Sequence, residues 1–131
     1  MAFSKTSDRQ YVLSARADFT YADFTSGTEL PVIELPPDAV VVGGQFVVTT
    51  VWDSATSDTF TVGDETDDDE YGAAIDGQAA ALTALVPTGF EYTATEDVVV
   101  KWTGVGTAPT QGAGYLIVNY VRDGRSNENQ G

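Results

Sequence analysis

The sequence predicts an all-β protein, an antiparallel two-sheet β-sandwich of jelly-roll type with an extended N-terminal arm. Three observations lead to this fold class. Several short stretches alternate apolar and polar residues with a period of two, links rich in Gly and Pro separate them, and one short Ala-rich stretch alone favours a helix. Seven or eight strands joined in this way are typical of sandwiches and jelly rolls. The predicted organisation is an arm that includes the start of the first strand (residues 1–16), a single sandwich domain (17–122) and a flexible C-terminal tail (123–131).

The first half of the chain supplies the clearest strands. Residues 11–20 alternate apolar and polar side chains, as a half-buried strand does. Residues 30–35 are apolar but contain Pro31, which lacks the N–H that a central strand donates, so an edge strand or an extended connector is expected there. Residues 39–52 are rich in β-branched side chains, and Gly43–Gly44 within them predict a bulge or a bend.

The pairing of these strands and the second half of the chain follow from the same patterns. A polar five-residue link separates residues 46–52 from residues 58–62, which predicts a hairpin. Residues 78–85 are rich in Ala and are the one segment that favours a helical turn or two. The remaining predicted strands are residues 90–93, 98–103 and 115–122, and residues 71–75 could form a strand edge.

Large aromatic side chains are the expected core, because a sandwich of this size needs about that much bulk to fill its interior. The predicted core aromatics are Phe46, Trp52, Phe60, Phe90, Trp102 and Tyr115. In the last strand a second set of side chains shares one face, and this set consists of Tyr115, Ile117, Asn119 and Val121.

The composition excludes most catalytic chemistry. The 131 residues include no Cys and no His, so thiol nucleophiles, disulfides, Cys/His zinc sites and histidine-dependent catalysis lack the side chains they need. The glycine-rich segments 104–106 and 112–114 lack the Lys of a phosphate-binding loop and are predicted to be turns. We therefore predict a protein that is not an enzyme and that has no catalytic residues.

The net charge is −14, from 20 acidic and 6 basic residues, and the charge is unevenly placed. All acids except Asp8, Asp123 and Glu128 lie between residues 17 and 100, a range without Lys or Arg. Such a body repels phosphate groups, so no nucleic acid and no membrane surface is expected as a partner. Apolar runs are too short for a membrane span, and residues 1–10 show no secretory signal.

The acidity by itself is explained by solubility and repulsion between copies. Because five of the six basic residues lie near the two ends of the chain, the alternative hypothesis is that the termini attach the protein to an acidic partner. These candidate contact residues are Lys5, Arg9, Arg16, Arg122 and Arg125. In this interpretation the acidic body faces solvent and keeps the protein soluble.

One segment concentrates carboxylates, because residues 63–70 read Gly-Asp-Glu-Thr-Asp-Asp-Asp-Glu. Calcium takes about six to eight oxygen ligands, and such a loop can supply several of them. The calcium candidates are Asp64, Asp67, Asp69 and Glu70, with Asp58 and Asp76 as neighbours. The spacing does not fit an EF-hand, since the required Gly is missing. A solvated acidic loop without a cofactor is the favoured interpretation, and a calcium site is the alternative. A glycosidase pair is disfavoured, because it needs one acid in an apolar cleft.

Three segments resemble small structural proteins of tailed bacteriophages, of the capsid decoration or cement type. These segments are residues 35–44 around the Pro-Pro turn, residues 51–59 with Trp-Asp-Ser-Ala-Thr-Ser-Asp-Thr, and residues 102–114 with Trp-Thr-Gly and the later glycines. The resemblance implies a β-sandwich subunit, usually trimeric, on the outer surface of the capsid in the virion, after synthesis in the host cytoplasm. It implies the major capsid protein and further copies of the chain as partners, with residues 1–16 as an arm that grips a neighbour.

Two other functions stay open at this point. A carbohydrate-binding or adhesive module of a virion tail or fibre would expose aromatic side chains near the acidic loop, whereas a decoration protein would bury them. The aromatics that discriminate are Trp52, Trp102, Tyr71 and Tyr92. A tail or neck component of the same virion is the third interpretation.

Overall fold

A computed structural model describes residues 11–122, which fold into eight β-strands and one short 3-10 turn, Tyr21–Asp23. The strands are β1 Leu13–Thr20, β2 Glu29–Leu35, β3 Ala39–Thr50, β4 Ser57–Asp64, β5 Gly72–Asp76, β6 Leu82–Ala84, β7 Glu96–Val105 and β8 Ala113–Arg122. The predicted all-β fold is confirmed. Residues 1–10 and 123–131, and with them Lys5, Arg9 and Arg125, lie outside the described range.

The strands form two four-stranded sheets in which every named pair is antiparallel. The first sheet has the order β1-β8-β3-β6 and the second the order β2-β7-β4-β5. Most links therefore carry the chain from one sheet to the other, which is the arrangement of an eight-stranded jelly roll. The predicted sandwich of jelly-roll type is confirmed in this order of strands.

The hairpin predicted between residues 46–52 and 58–62 is wrong. β3 pairs with β8 and β6 in the first sheet, whereas β4 pairs with β7 and β5 in the second. Both strands bury alternate side chains in the same core, and the link is long enough to cross between the sheets. Asp53 in this link accepts hydrogen bonds from the backbone N–H and hydroxyl of Thr110, both at 2.6 Å, so the link is tied to the β7–β8 connection instead.

Two other local predictions are wrong. Residues 78–85 form no helix, because Leu82–Ala84 pairs with β3 as the strand β6, and no α-helix is present in residues 11–122. Residues 90–93 are not a strand but make a single bridge, Val40 to Glu91. The Ala-rich segment forms a strand where it can extend the ladder of β3.

The edge strand and the bulge were predicted correctly. β2 lies at the edge of the second sheet, with an irregularity just after Pro31. The register of β3 against β8 shifts between Val41 and Gly43. At Gly44, φ is +139° and a Cβ atom would lie 2.2 Å from the Ile117 carbonyl oxygen, so only glycine fits this close approach.

The core lies between the two sheets and is built around aromatic rings. Phe46 and Phe60 face each other from opposite sheets with ring centroids 4.9 Å apart, and Trp52 packs edge-on against Phe60 at 4.8 Å. Trp102 is buried as predicted. Phe90 is not a core residue, since 54% of it is exposed. Tyr115 is half-buried on the outward side of β8.

Among the described residues, no helix is long and apolar enough to cross a membrane.

Candidate functional site

Both ends of the described chain lie at one end of the sandwich, which we call the terminal end. Leu13 and Val41 both pair with Tyr120, so β1 begins and β8 ends beside the start of β3. The segment 65–70, called the acidic loop below, leaves β4 at this same end, because Asp64 pairs with Val98 near the start of β7. The acidic loop and the two ends of the described range, Tyr11 and Arg122, therefore lie at the same end of the sandwich.

The acidic loop is held by a buried carboxylate, Asp64, of which only 4% is exposed. One oxygen of Asp64 accepts hydrogen bonds from the backbone N–H groups of Thr66 and Asp67, at 3.0 and 2.8 Å. Its other oxygen accepts a hydrogen bond from the Tyr92 hydroxyl at 2.7 Å. This arrangement is an Asx-type turn that fixes the first residues of the loop.

Two buried tyrosines continue this network. The Tyr92 hydroxyl donates to Asp64, so the Tyr71 hydroxyl donates to the Tyr92 oxygen at 2.5 Å. Burial raises the pKa of Tyr71 to about 12 and raises the pKa of Tyr92 further. Both phenols therefore keep their protons at neutral pH, and the chain of hydrogen bonds stays intact.

A groove of about 220 Å³ opens between the acidic loop and the segment that leads into β7. Phe90 and Tyr92 supply its aromatic surface, and Asp67, Glu70 and Glu96 supply carboxylates. Its rim is anchored where the backbone N–H of Glu65 donates to the Glu96 carboxylate at 3.0 Å. The groove thus combines one exposed ring with negative charge.

The calcium candidates do not all come together. Asp67 and Asp69 lie with Asp68 so that one carboxylate oxygen of each falls within 4.8 Å of the others. Asp64 is set apart, since its oxygens already accept hydrogen bonds from the protein. A hydrogen bond with Asp67, together with its charge, raises the pKa of Asp69. Glu70 lines the groove.

The acidic loop folds over the outward face of the second sheet. Lys101, on the outward side of β7, pairs with Asp68 at 2.6 Å. A Cβ atom at Gly63 would lie 2.1 Å from the Asp67 carbonyl oxygen, which shows how closely the loop approaches the strand. Val99 is buried although it points away from the core side of β7, and it pairs with Gly63, the residue that the loop approaches.

At the opposite end, Asp58 is a fully buried carboxylate that joins the β3–β4 link, the β5–β6 link and strand β7. Its oxygens accept hydrogen bonds from the Ser54 N–H and hydroxyl, at 3.0 and 2.6 Å. They also accept from the Gln78 amide at 2.9 Å and the Trp102 indole N–H at 2.8 Å. Four donors saturate this carboxylate, so Asp58 is a structural group and does not belong with the acidic loop.

The outward face of the first sheet is uncharged over its three strands β8, β3 and β6. We call this surface the uncharged face. Its half-buried and exposed apolar side chains are Val40, Val47, Leu82, Tyr115, Ile117 and Val121. Val47 lies between Leu82 and Tyr115 in the ladder, so these three apolar side chains are adjacent. The uncharged polar residues of the face are Gln45, which pairs with Ile117, and Asn119, which lies between Ile117 and Val121. The outward face of the second sheet differs, because it carries Glu29, Asp97 and Lys101 as well as the acidic loop.

The candidate cations within residues 11–122 lie in different places. Arg16 projects from β1 at the border of the uncharged face, where its guanidinium lies 3.9 Å from the Tyr115 ring centroid and pairs with Asp18 at 2.7 Å. Arg122 lies at the terminal end and donates to the Pro37 carbonyl oxygen at 3.1 Å. The structure therefore assigns the two arginines to different surfaces.

The sequence matches no protein-family model and no curated protein, but the fold has similar solved structures. A chain of the cyanophage Pam1 capsid asymmetric unit aligns over 93% of this chain and 92% of its own length, with a TM-score of 0.69 and 18% identity. A chain of the capsid of Ralstonia phage GP4 aligns over 93% and 91%, with a TM-score of 0.67 and 21% identity. A chain of the acidic stable capsid structure of Helicobacter pylori bacteriophage KHP30 aligns over 87% and 92%, with a TM-score of 0.63 and 19% identity. At these identities the likeness shows a common fold.

Proposed function

We propose that this chain is a virion structural protein, a capsid decoration protein that binds the outer surface of a phage head as a trimer and stabilises the shell. The observation that carries the proposal is the fold likeness to chains from three phage capsids, which spans at least 87% of this chain and nearly all of each match. The turn and strand segments quoted from the sequence support the same class of protein.

A decoration protein needs binding energy and no chemistry. If it binds only the assembled shell, it stabilises that state by its binding free energy, and many copies multiply the effect. The two buried carboxylates fit a structural role, since the oxygens of Asp58 and Asp64 accept hydrogen bonds that hold the β3–β4 link and the acidic loop in place. The major capsid protein is the proposed partner.

The basic residues are the proposed capsid contacts. Arg122 lies at the terminal end, from which the sequence continues to Arg125. Lys5 and Arg9 precede Tyr11, the first described residue, in the sequence. Arg16 is the exception, because it borders the uncharged face and not the terminal end.

The burial of the discriminating aromatics favours decoration over the carbohydrate-binding alternative. Trp52, Trp102, Tyr71 and Tyr92 are all buried, so none of them offers a flat ring to a sugar. Phe90 is the exposed ring beside the acidic loop, and a single ring is a small platform for an adhesive module. Addition of a glycan library to the purified protein should therefore give no saturable binding.

The direct test is co-sedimentation of the purified protein with capsids that lack it, with isolated tails of the same virion as a second target. We expect saturable binding to capsids at a fixed ratio, a higher thermal stability of the decorated shell, and weaker attachment at high salt if cations contribute. Binding to tails alone would replace the decoration role with a tail or neck role. A monomer that fails to bind capsids would contradict the proposal.

A pair of full-length variants tests the terminal cations. Lys5→Gln/Arg9→Gln removes two positive charges, and Thr103→Glu/Thr107→Glu changes the net charge equally at exposed positions away from the terminal end. We expect the first variant to bind capsids more weakly and with less salt dependence, and the second to bind like the unmodified protein. Equal loss in both would mean that net charge, and not the arm, governs attachment.

A further inference from the structure

The uncharged face is the surface through which copies of this protein can associate. Along β3, β6 and β8 its outward positions hold no Asp, Glu, Lys or Arg up to Arg122, although the chain carries a net charge of −14. The charged pair Arg16–Asp18 lies at its border on β1 and neutralises itself. In an antiparallel sheet with one face in water, the outward positions are usually polar.

The apolar side chains of this face are substantially exposed. Leu82 is 58% exposed, and Val42, the residue without a partner in the β3 bulge, is 43% exposed. Val47, Ile117 and Tyr115 are half-buried, and Arg16 lies over the Tyr115 ring. Neighbouring exposed apolar side chains without charges among them are typical of an interaction site.

The charge distribution decides which surface of the chain can contact a second copy. Two copies that each carry −14 repel each other, and the second sheet would bring acidic loops and the carboxylates of Glu29 and Asp97 together. The uncharged face is the broad surface on which two copies can meet without burying a carboxylate, whose desolvation is costly. The occupant is a second copy of the chain, as the proposed trimer requires, and the charge distribution selects the uncharged face for that contact.

The outward surface of the first sheet is large enough for a specific interface when β1 is included. With about 4.8 Å between strands and about 3.3 Å per residue, β8, β3 and the short β6 give an outward surface of roughly 400 Å². The border strand β1, whose charged pair neutralises itself, brings this to roughly 500 Å², or about 1,000 Å² for two copies. Specific interfaces begin near that value. Around a three-fold axis, three copies could each turn this face toward the axis.

We propose that copies of this protein associate through the uncharged face, with Val47 at its centre and Ile117 and Tyr115 toward its border with β1. The proposal rests on the trimeric decoration role but concerns a different property, the surface that is used. Arg16, which lies over the Tyr115 ring, holds that ring in place at the border of the interface.

The test compares the mass of full-length variants in solution by sedimentation equilibrium, without capsids. Val47→Glu and Val47→Lys place a charge of either sign at the centre of the face, and Thr103→Glu places one on the outward side of β7 in the second sheet as a matched control. We expect the unmodified protein and Thr103→Glu to form a multimer, and both Val47 variants to have the mass of one chain. Circular dichroism and thermal unfolding show that each variant is folded.

The salt dependence of self-association is an independent test, because it should be opposite to the salt dependence of capsid attachment. Screening weakens the repulsion between like-charged copies, so self-association should become tighter as ionic strength rises. An unmodified protein that stays monomeric at every salt concentration overturns the proposal. So does a multimer that both folded Val47 variants retain.

The outcomes separate this proposal from the decoration role. If the unmodified protein is a dimer and Val47→Glu is a monomer, association through the uncharged face is supported but the proposed trimer is contradicted. If Val47→Glu is monomeric and still binds capsids, association through the uncharged face is supported and the decoration role is not contradicted. An unmodified multimer that dissociates on Val47→Glu but never binds capsids supports the face and contradicts decoration.

Discussion

At the scale of single residues, Asp58 shows how an acidic protein uses one of its carboxylates for folding. Ser54, Gln78 and Trp102 come from three separate parts of the chain and all donate to it. A buried ionised group is costly unless its hydrogen bonds are complete, and here they are. Asp58 therefore fixes the end of the sandwich at which β3, β5 and β7 turn.

Replacement of Asp58 by Ala should lower the free energy of unfolding by about 3 kcal/mol or more, because it leaves several buried donors without an acceptor. Asp58→Asn should have a smaller effect, since its carbonyl oxygen keeps part of the network. Denaturant unfolding measures both, with Asp18→Ala as an exposed control of the same chemical change. Equal stability of Asp58→Ala and Asp18→Ala would show that the network contributes little.

The tyrosine pair predicts a loss of stability in alkali. The pKa of Tyr71 rises from 10.0 to about 12 on folding, so between these values the unfolded chain releases a proton that the folded chain holds. This contribution is complete below pH 10 and is lost as the pH rises through about 12. Unfolding free energies measured across this range should fall with pH, and Tyr71→Phe should fall less steeply.

Tyr21→Phe is the matched control for that experiment, because Tyr21 is partly exposed and lies at the other end of the sandwich. Its pH profile should follow the unmodified protein. If Tyr71→Phe and Tyr21→Phe had the same slope, the buried network would not be the source of the alkaline transition.

At the scale of elements, the sequence locates strands better than it pairs them. Alternation with a period of two identified β1, β7 and β8, because each buries one face, and the β-branched residues identified β3. It does not tell which sheet a strand joins, so the link after β3 looked like a hairpin although β4 belongs to the other sheet. The three residues of β6 were missed, because Ala favours helices in isolation and the pairing with β3 overrides that preference.

The candidate surfaces were only partly predictable. A run of carboxylates predicts a solvated loop, and nothing in its composition marks Asp64 as the buried member that anchors it. Phe90 resembles a core residue by type, but its segment makes only one bridge and leaves the ring outside. The uncharged face did leave a signal in β8, where Leu116 and Val118 face the core while Ile117 and Val121 face outward. A strand that is apolar on both faces is typical of one that is covered on both.

At the scale of the whole molecule, charge and apolar surface occupy different places. The acidic loop covers part of the second sheet and borders the terminal end, and the first sheet carries the uncharged face. Contacts made by cations should weaken with salt, whereas association through the uncharged face should strengthen. Measurements of attachment and of self-association over the same salt range can therefore distinguish the two surfaces in one preparation.

The same charge distribution predicts how salt and calcium act on stability. The carboxylates in and beside the acidic loop are crowded: a hydrogen bond with Asp67, and then its negative charge, raises the pKa of Asp69, and a hydrogen bond with Asp97 of β7 raises the pKa of Glu65. Sodium chloride should therefore raise the midpoint of thermal unfolding by screening, and calcium chloride at equal ionic strength should give the same rise if the loop is only solvated. A further rise with calcium that a chelator reverses and that Asp67→Asn/Asp69→Asn abolishes would instead establish the calcium site. Glu29→Gln/Glu34→Gln, which removes two charges from β2, is the control that separates a specific site from a general loss of charge.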